Sequence, residues 1–190
     1  TSSYAQAAAM AMGRAMDDVI IAAATGTAYT GETGATSESV QTAIAASVGT
    51  GTGLNLVKLT TAKRLLDDAD VDPSIPRHII VGPEQLQNLL AVEQVTSSDY
   101  NTVKALVQGE IDSYLGFKFT VSNRLAKSGN DRTCIVYAED GITLGIGKDI
   151  SARIDERADK SYATQVYYCQ SIGATRMESA KVVPITCTEA

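Results

Sequence analysis

The sequence predicts an α+β protein, with a long amphipathic helix and a long charged hairpin bracketing a small mixed sheet flanked by helices. Residues 2 to 24 place apolar side chains at three- and four-residue spacing on one stripe. The middle of the chain alternates helix-period with strand-period segments. Its end holds two long strand patterns around a charged tip.

In the first helix the stripe is Ala8, Met12, Met16, Val19 and Ala23, while Arg14, Asp17 and Asp18 fall away from it. Gly13 inside the pattern costs about 1 kcal/mol relative to Ala, so either something packs closely there or the helix is locally weak. Residues 25 to 53 are rich in Gly, Thr and Ser and read as loop. Within them Val40, Thr42, Ile44, Ala46 and Val48 alternate as a strand would, and Gly49 to Gly53 reads as a hinge between two lobes.

Leu56, Leu59, Ala62, Leu65, Leu66 and Ala69 define a second helix that stops near Asp70, ahead of Pro73 and Pro76. Arg77 to Val81 is a short strand. Gly82-Pro83 then opens a helix with Pro at its first position, carrying Leu86, Leu89 and Leu90. Ser98 or Asp99 caps a further helix through Val103, Leu106 and Val107. Ile111 to Ser122 is strand-like with a break at Gly116, and Thr133 to Ala138 is another strand. The terminal hairpin pairs Ile150 to Glu156 with Tyr162 to Ile172 across the tip Arg157-Ala-Asp-Lys160. Ile150, Ala152 and Ile154 alternate with Ser151, Arg153 and Asp155, which predicts one buried face and one polar face.

Composition narrows the function classes. With 44% hydrophobic residues over 190 positions, the chain can fill a core, and Ala, Val, Ile and Leu must do so because there are two Phe and no Trp. Sixteen Lys plus Arg against 22 Asp plus Glu give a net charge of −6, which repels phosphate and argues against sequence-specific nucleic-acid binding. Cys134, Cys169 and Cys187 lack C-x-x-C spacing and read as reduced structural thiols. Val19 to Ala24, the longest apolar stretch, is too short to span a bilayer. Thr1 in place of Met reads as a processed product, a fragment or an incomplete record.

No constellation of residues carries chemistry. Gly141-Ile-Thr-Leu-Gly-Ile-Gly147-Lys148-Asp149 lacks the leading Gly and the magnesium-binding hydroxyl of a phosphate loop, and reads as a glycine-rich turn joining two lobes. Asp68, Asp70 and Asp72 have calcium-loop spacing, but Pro73 stands where the turn glycine belongs, so a solvated helix end is the reading. His78 is the single histidine and has no nucleophile motif to serve, so a structural role is expected. The expectation is a protein without catalytic, cofactor or metal residues.

The ordered elements resemble the tailed-phage major capsid proteins of the Hong Kong 97-like shell fold. Residues carrying the likeness are Ala15-Met-Asp-Asp-Val-Ile-Ile-Ala-Ala-Ala, Arg77-His-Ile-Ile-Val-Gly-Pro, Ser98-Asp-Tyr-Asn-Thr-Val and Leu115-Gly-Phe-Lys-Phe. Val136-Tyr-Ala-Glu-Asp-Gly-Ile and the ending Arg176-x-x-x-Ala-x-Val-Val-x-Ile continue it. The resemblance implies a structural subunit that self-assembles as pentamers and hexamers into an icosahedral head around phage DNA. An encapsulin-like compartment shell around an enzyme cargo is the alternative. It also implies a peripheral domain over 1–48 and 149–174, with the long helix as its spine, and an axial domain over 49–148 and 175–190.

Further implied partners are scaffolding, portal or decoration proteins, but no membrane. The implied location is the virion, assembled in the bacterial cytoplasm. Candidate intersubunit contacts are Arg14, Asp17, Asp18, Arg153, Asp155, Glu156, Arg157 and Lys160. Family members carry an N-terminal arm and a long loop before the spine helix. Nothing here precedes Thr1, so folded lobes without those straps are expected.

Overall fold

The structure is a computed structural model that describes residues 3–49, 51–91 and 113–189. Helix α1 runs over Ser3–Thr25, about 35 Å at 1.5 Å per residue. The stripe Ala8, Met12, Met16, Val19 and Ala23 is half-buried, and Arg14, Asp17 and Asp18 are exposed. Only Ile21 and Ala24, near the helix end, enter the main core. Among the described residues a Cβ added at Gly13 would meet nothing within 4 Å, so none of them demands glycine there.

Strands β1 (Ala28–Thr30) and β2 (Thr36–Glu38) form a small antiparallel hairpin with Tyr29 opposite Ser37. The strand expected over Val40 to Val48 does not form. Only Ile44 pairs, in parallel with Ile185 of the last strand, β10 (Val182–Thr188). The Ile44 amide donates to the Pro184 carbonyl and the Thr186 amide to the Ile44 carbonyl, each at 2.9 Å. One residue pair earlier the ladder would need an N–H from Pro184, which has none. One pair later it would need the Thr188 N–H, which donates to the Thr52 carbonyl at 3.0 Å. The alternating pattern is therefore held to a single bridge.

Helix α2 (Leu56–Asp68) starts at Asn55, whose side chain accepts from the Lys58 amide at 2.9 Å. It ends before Asp70, which adopts a left-handed φ of 55°. Strand β3 (Arg77–Val81) leads into helix α3 (Pro83–Leu90), with Pro at its first turn as expected. Strands β4 (Ser113–Tyr114) and β5 (Phe117–Val121) flank a turn in which Leu115 and Gly116 have φ of 54° and 85°. The helix expected from Ser98 or Asp99 to Val107, and the first two residues of the strand expected from Ile111, lie outside the described residues.

Strands β6 (Lys127–Ser128) and β7 (Asp131–Ala138) complete a sheet in the order β10-β7-β3-β5-β4, with β6 beside β7. Among the described strands of this sheet only β3 and β5 pair in parallel, Arg77 opposite Phe117. Leu59, Ala62 and Leu66 of α2 pack with Ile79, Val81, Phe117, Ile135, Val136, Val183 and Ile185 in one core. His78 stacks on Tyr137 with ring centroids 5.4 Å apart, and Cys134 and Cys187 are buried among the same strands.

The terminal hairpin is longer than expected. Strand β8 covers Ile142–Arg157 and β9 covers Ala163–Arg176. Gly145 and Gly147, read as part of a turn, lie inside β8, with Gly145 opposite Gly173. The register shifts between Ile146 and Lys148 and again before Ser151, so the glycines mark a bend in a strand and not its end.

The buried face expected for Ile150 and Ile154 is likewise absent, since they are 41% and 68% exposed. The pair β8–β9 is a two-stranded sheet of its own, with α1 lying mainly along β9. One helix, about 10 Å wide, lies along β9 and reaches only part of β8.

Candidate assembly surface

The hairpin register sorts its side chains onto two faces. Ala152 opposite Tyr168, Ile154 opposite Val166 and Glu156 opposite Thr164 share one face. Thr164, Val166 and Tyr168 line, with Tyr4 and Ala8 of α1, an open groove of about 350 Å³. This is the helix side, and its outer half is an exposed apolar strip of Ile154 and Val166, the latter 41% exposed.

Arg153 opposite Tyr167, Asp155 opposite Gln165 and Arg157 opposite Ala163 share the other face. There Cys169 contacts the Ser151 hydroxyl at 2.9 Å and accepts from Lys148 Nζ at 3.2 Å. Those contacts, the hydroxyl first and the ammonium second, hold the thiol below its ordinary pKa.

At the tip Arg157 Nε donates to Asp159 at 2.9 Å, and this guanidinium lowers the Asp159 pKa. Lys160 closes a short turn whose next residues, Ser161 and Tyr162, both have left-handed backbone, φ 53° and 58°. Each such conformation costs a non-glycine residue on the order of 1 kcal/mol. The tip thus holds an exposed Tyr162 in a strained turn.

The residues expected on α1 divide differently. Asp18 makes a two-point ion pair with Arg124, in the turn after β5, and that guanidinium pulls the Asp18 pKa down. This carboxylate is therefore occupied within its own chain, tying the helix to the central sheet. Arg14 Nε donates to the Met10 carbonyl one turn back at 3.1 Å. Asp17 lines a pocket of about 210 Å³ between α1 and the sheet, with Ile20, Thr120 and Tyr137.

Sequence reasoning missed three buried polar centres. Lys58 is fully buried, and its ammonium donates to the carbonyls of Thr52, Gly53 and Thr186 at 2.7–3.1 Å. Arg176 is buried on backbone carbonyls. Glu189 accepts from Arg132, Lys127 and Gln85. Each depends on at least one partner more than forty residues away, so no local motif announces them, although Arg176 falls in the quoted ending.

Among the described residues no group of His, Cys, Asp or Glu could hold a metal ion. Asp68 pairs with Arg64 at 2.9 Å, and Asp72 accepts from the Ser74 amide at 2.8 Å. A pocket of about 550 Å³ beside Lys63, Ser74 and Leu115 holds the Arg77–Asp67 ion pair at 2.7 Å. No helix among the described residues is long and apolar enough to cross a membrane.

Sequence comparison matches residues 1–189 to the family described as "Phage capsid protein". The chain belongs to that family. Solved structures agree on the fold. A chain from Mycobacterium phage Che8 superposes with a TM-score of 0.67 at 20% identity, over 97% of this chain and 63% of that one. The capsid of cyanophage Pam1 gives 0.66 at 13% identity, over 97% and 68%. The capsid of cyanophage P-SCSP1u gives 0.65 at 14%, over 100% and 67%. No protein of curated function resembles the chain in sequence. The fold is therefore the Hong Kong 97-like shell fold, and this capsid-family chain spans roughly two thirds of the phage chains it superposes on.

Proposed function

We propose that this chain is the repeating subunit of an icosahedral phage head, a structural protein that encloses the genome and catalyses nothing. The observation that carries the reading is the family match over 1–189, which takes in the long helix, the central sheet and the terminal hairpin together. Self-association into pentamers and hexamers is the activity. Scaffolding, portal and decoration proteins are the further partners, and assembly takes place in the bacterial cytoplasm.

In this reading the helix and hairpin, 1–48 and 149–174, form the peripheral domain. The six-stranded sheet with its helices and the inner end of the hairpin, 49–148 and 175–190, forms the axial domain. The hairpin suits the periphery because its charged face and apolar strip are uncovered in the isolated subunit. The contact set is Arg14, Asp17, Arg153, Asp155, Glu156, Arg157 and Lys160, with Asp18 and Arg157 already paired inside the chain. Partly desolvated charges at such an edge set register and reject wrong partners more than they add affinity.

Arg153→Glu with Arg157→Glu tests the surface. The subunit is expected to keep its thermal transition, because both side chains face solvent, while particles seen by electron microscopy disappear or become aberrant. Normal particles from the double variant would show that the tip is only a solvated turn.

A further inference from the structure

Arg176 ends β9 and is 4% exposed. Its guanidinium reaches three separate parts of the chain. Nη1 donates to the carbonyls of Gly26 at 2.8 Å, Ala24 at 3.1 Å and Ala23 at 3.4 Å. From Nη2 it reaches the Glu38 carbonyl at 2.9 Å, and from Nε the Ser179 hydroxyl at 3.2 Å. Among the described residues no carboxylate forms an ion pair with it.

The carbonyls of Ala23 and Ala24 belong to the last turn of α1, where helical carbonyls lack an intrahelical donor and the helix dipole is negative. A distant arginine therefore caps this helix, in place of a basic residue in the last turn, which α1 lacks. Acceptors at both ends of the planar fork suit Arg; a Lys ammonium is a point donor and cannot span them. The Glu38 carboxylate favours the charge without bonding to it, and a buried cation so placed persists only where its hydrogen bonds are well satisfied. This one is satisfied only while all three segments stay in place.

We propose that Arg176 is the positioning residue of the joint between the long helix and the terminal hairpin. It locks the end of α1, the β1–β2 hairpin and the return from β9 to the central sheet into one unit. That unit sets the angle at which the outer face of the hairpin meets a neighbouring copy. The last clause rests on the shell reading above; the joint itself does not. Lys58 supplies the internal control, because its ammonium pins Thr52, Gly53 and β10 and touches none of the joint.

Native-state hydrogen exchange on the wild-type protein decides the joint. The amides of Gly26 (bonded to Ala22), of β1–β2 and of Met177 (bonded to Gly141) open together, with a common denaturant dependence. Arg176→Lys keeps the charge, yet speeds exchange at those amides by at least about tenfold while Ile79 and Val136 hold their rates. Lys58→Met does the reverse.

Unrelated opening rates in the wild type overturn the joint even if Arg176→Lys fails to fold. So does a variant whose rates stay within about twofold of wild type. Electron microscopy of particles reads the second clause, with Arg176→Lys expected to shift or broaden the diameter distribution. Unchanged particles overturn that clause. Wild-type protein that forms no particles counts against the shell reading, because the exchange data still decide the joint.

Discussion

Glu189 offers the sharpest energetic test. It follows β10, is 6% exposed, and accepts from Arg132, Lys127 and, at 3.2 Å, Gln85. Arg132 first and Lys127 second hold its carboxyl at about 2, against an ordinary 4.5. At 1.36 kcal/mol for each pH unit, a shift from 4.5 to about 2 is worth at most about 3 kcal/mol. Lys127 is 43% exposed, and water around it brings the figure nearer 2 kcal/mol.

Because the folded value is depressed, this contribution is fully present above pH 4.5 and fades as pH falls toward about 2. Glu189→Gln keeps the shape but leaves Arg132 without its counter-charge, so at pH 7 it should lower unfolding free energy by about 2 kcal/mol. Urea titrations of wild type and variant across pH 7 to 2 measure the gap. It should close over the lower half of that range. A gap constant with pH would refute the assignment of the stability to a buried charged carboxylate, and no gap at pH 7 would show that the cluster contributes nothing.

Met16→Asp should lower the unfolding free energy by about 1–2 kcal/mol, since its side chain is half-buried in the stripe; an unchanged melting temperature would mean the stripe is not covered. Gly13→Ala should raise it by about 0.5–1 kcal/mol in the isolated subunit, because the added methyl meets nothing. A destabilised variant, read by thermal denaturation, would mean the helix needs the flexibility of glycine there.

Local signals were legible in the sequence. The α1 stripe, the Pro83 start of α3 and the break at Gly116 all follow from rules that act within a few residues. What was not legible depends on distant partners. Val40 to Val48 has a strand pattern, yet the edge that Ile44 meets carries Pro184 and a Thr188 amide already engaged by Thr52. Gly145 and Gly147 look like a turn but face β9, and whether glycine bends a strand or ends it depends on what lies opposite.

The alternation at Ile150 and Ile154 predicts a buried face that does not form, because alternation does not say what covers a face. Among the described residues nothing buries Ile154 or Val166, which are 68% and 41% exposed. The candidate charges were legible as charges only. That Asp18 is claimed by Arg124 while Arg153 and Asp155 stand free of any described ion pair could come only from the fold.

A reconstruction by electron cryomicroscopy of particles formed when the protein is expressed in bacteria tests the central claim most directly. The account predicts a closed icosahedral shell in which the Arg153–Lys160 end of the hairpin and the Ile154–Val166 strip lie against neighbouring subunits. Protein that remains monomeric, or a shell in which that hairpin end faces only solvent, would contradict it.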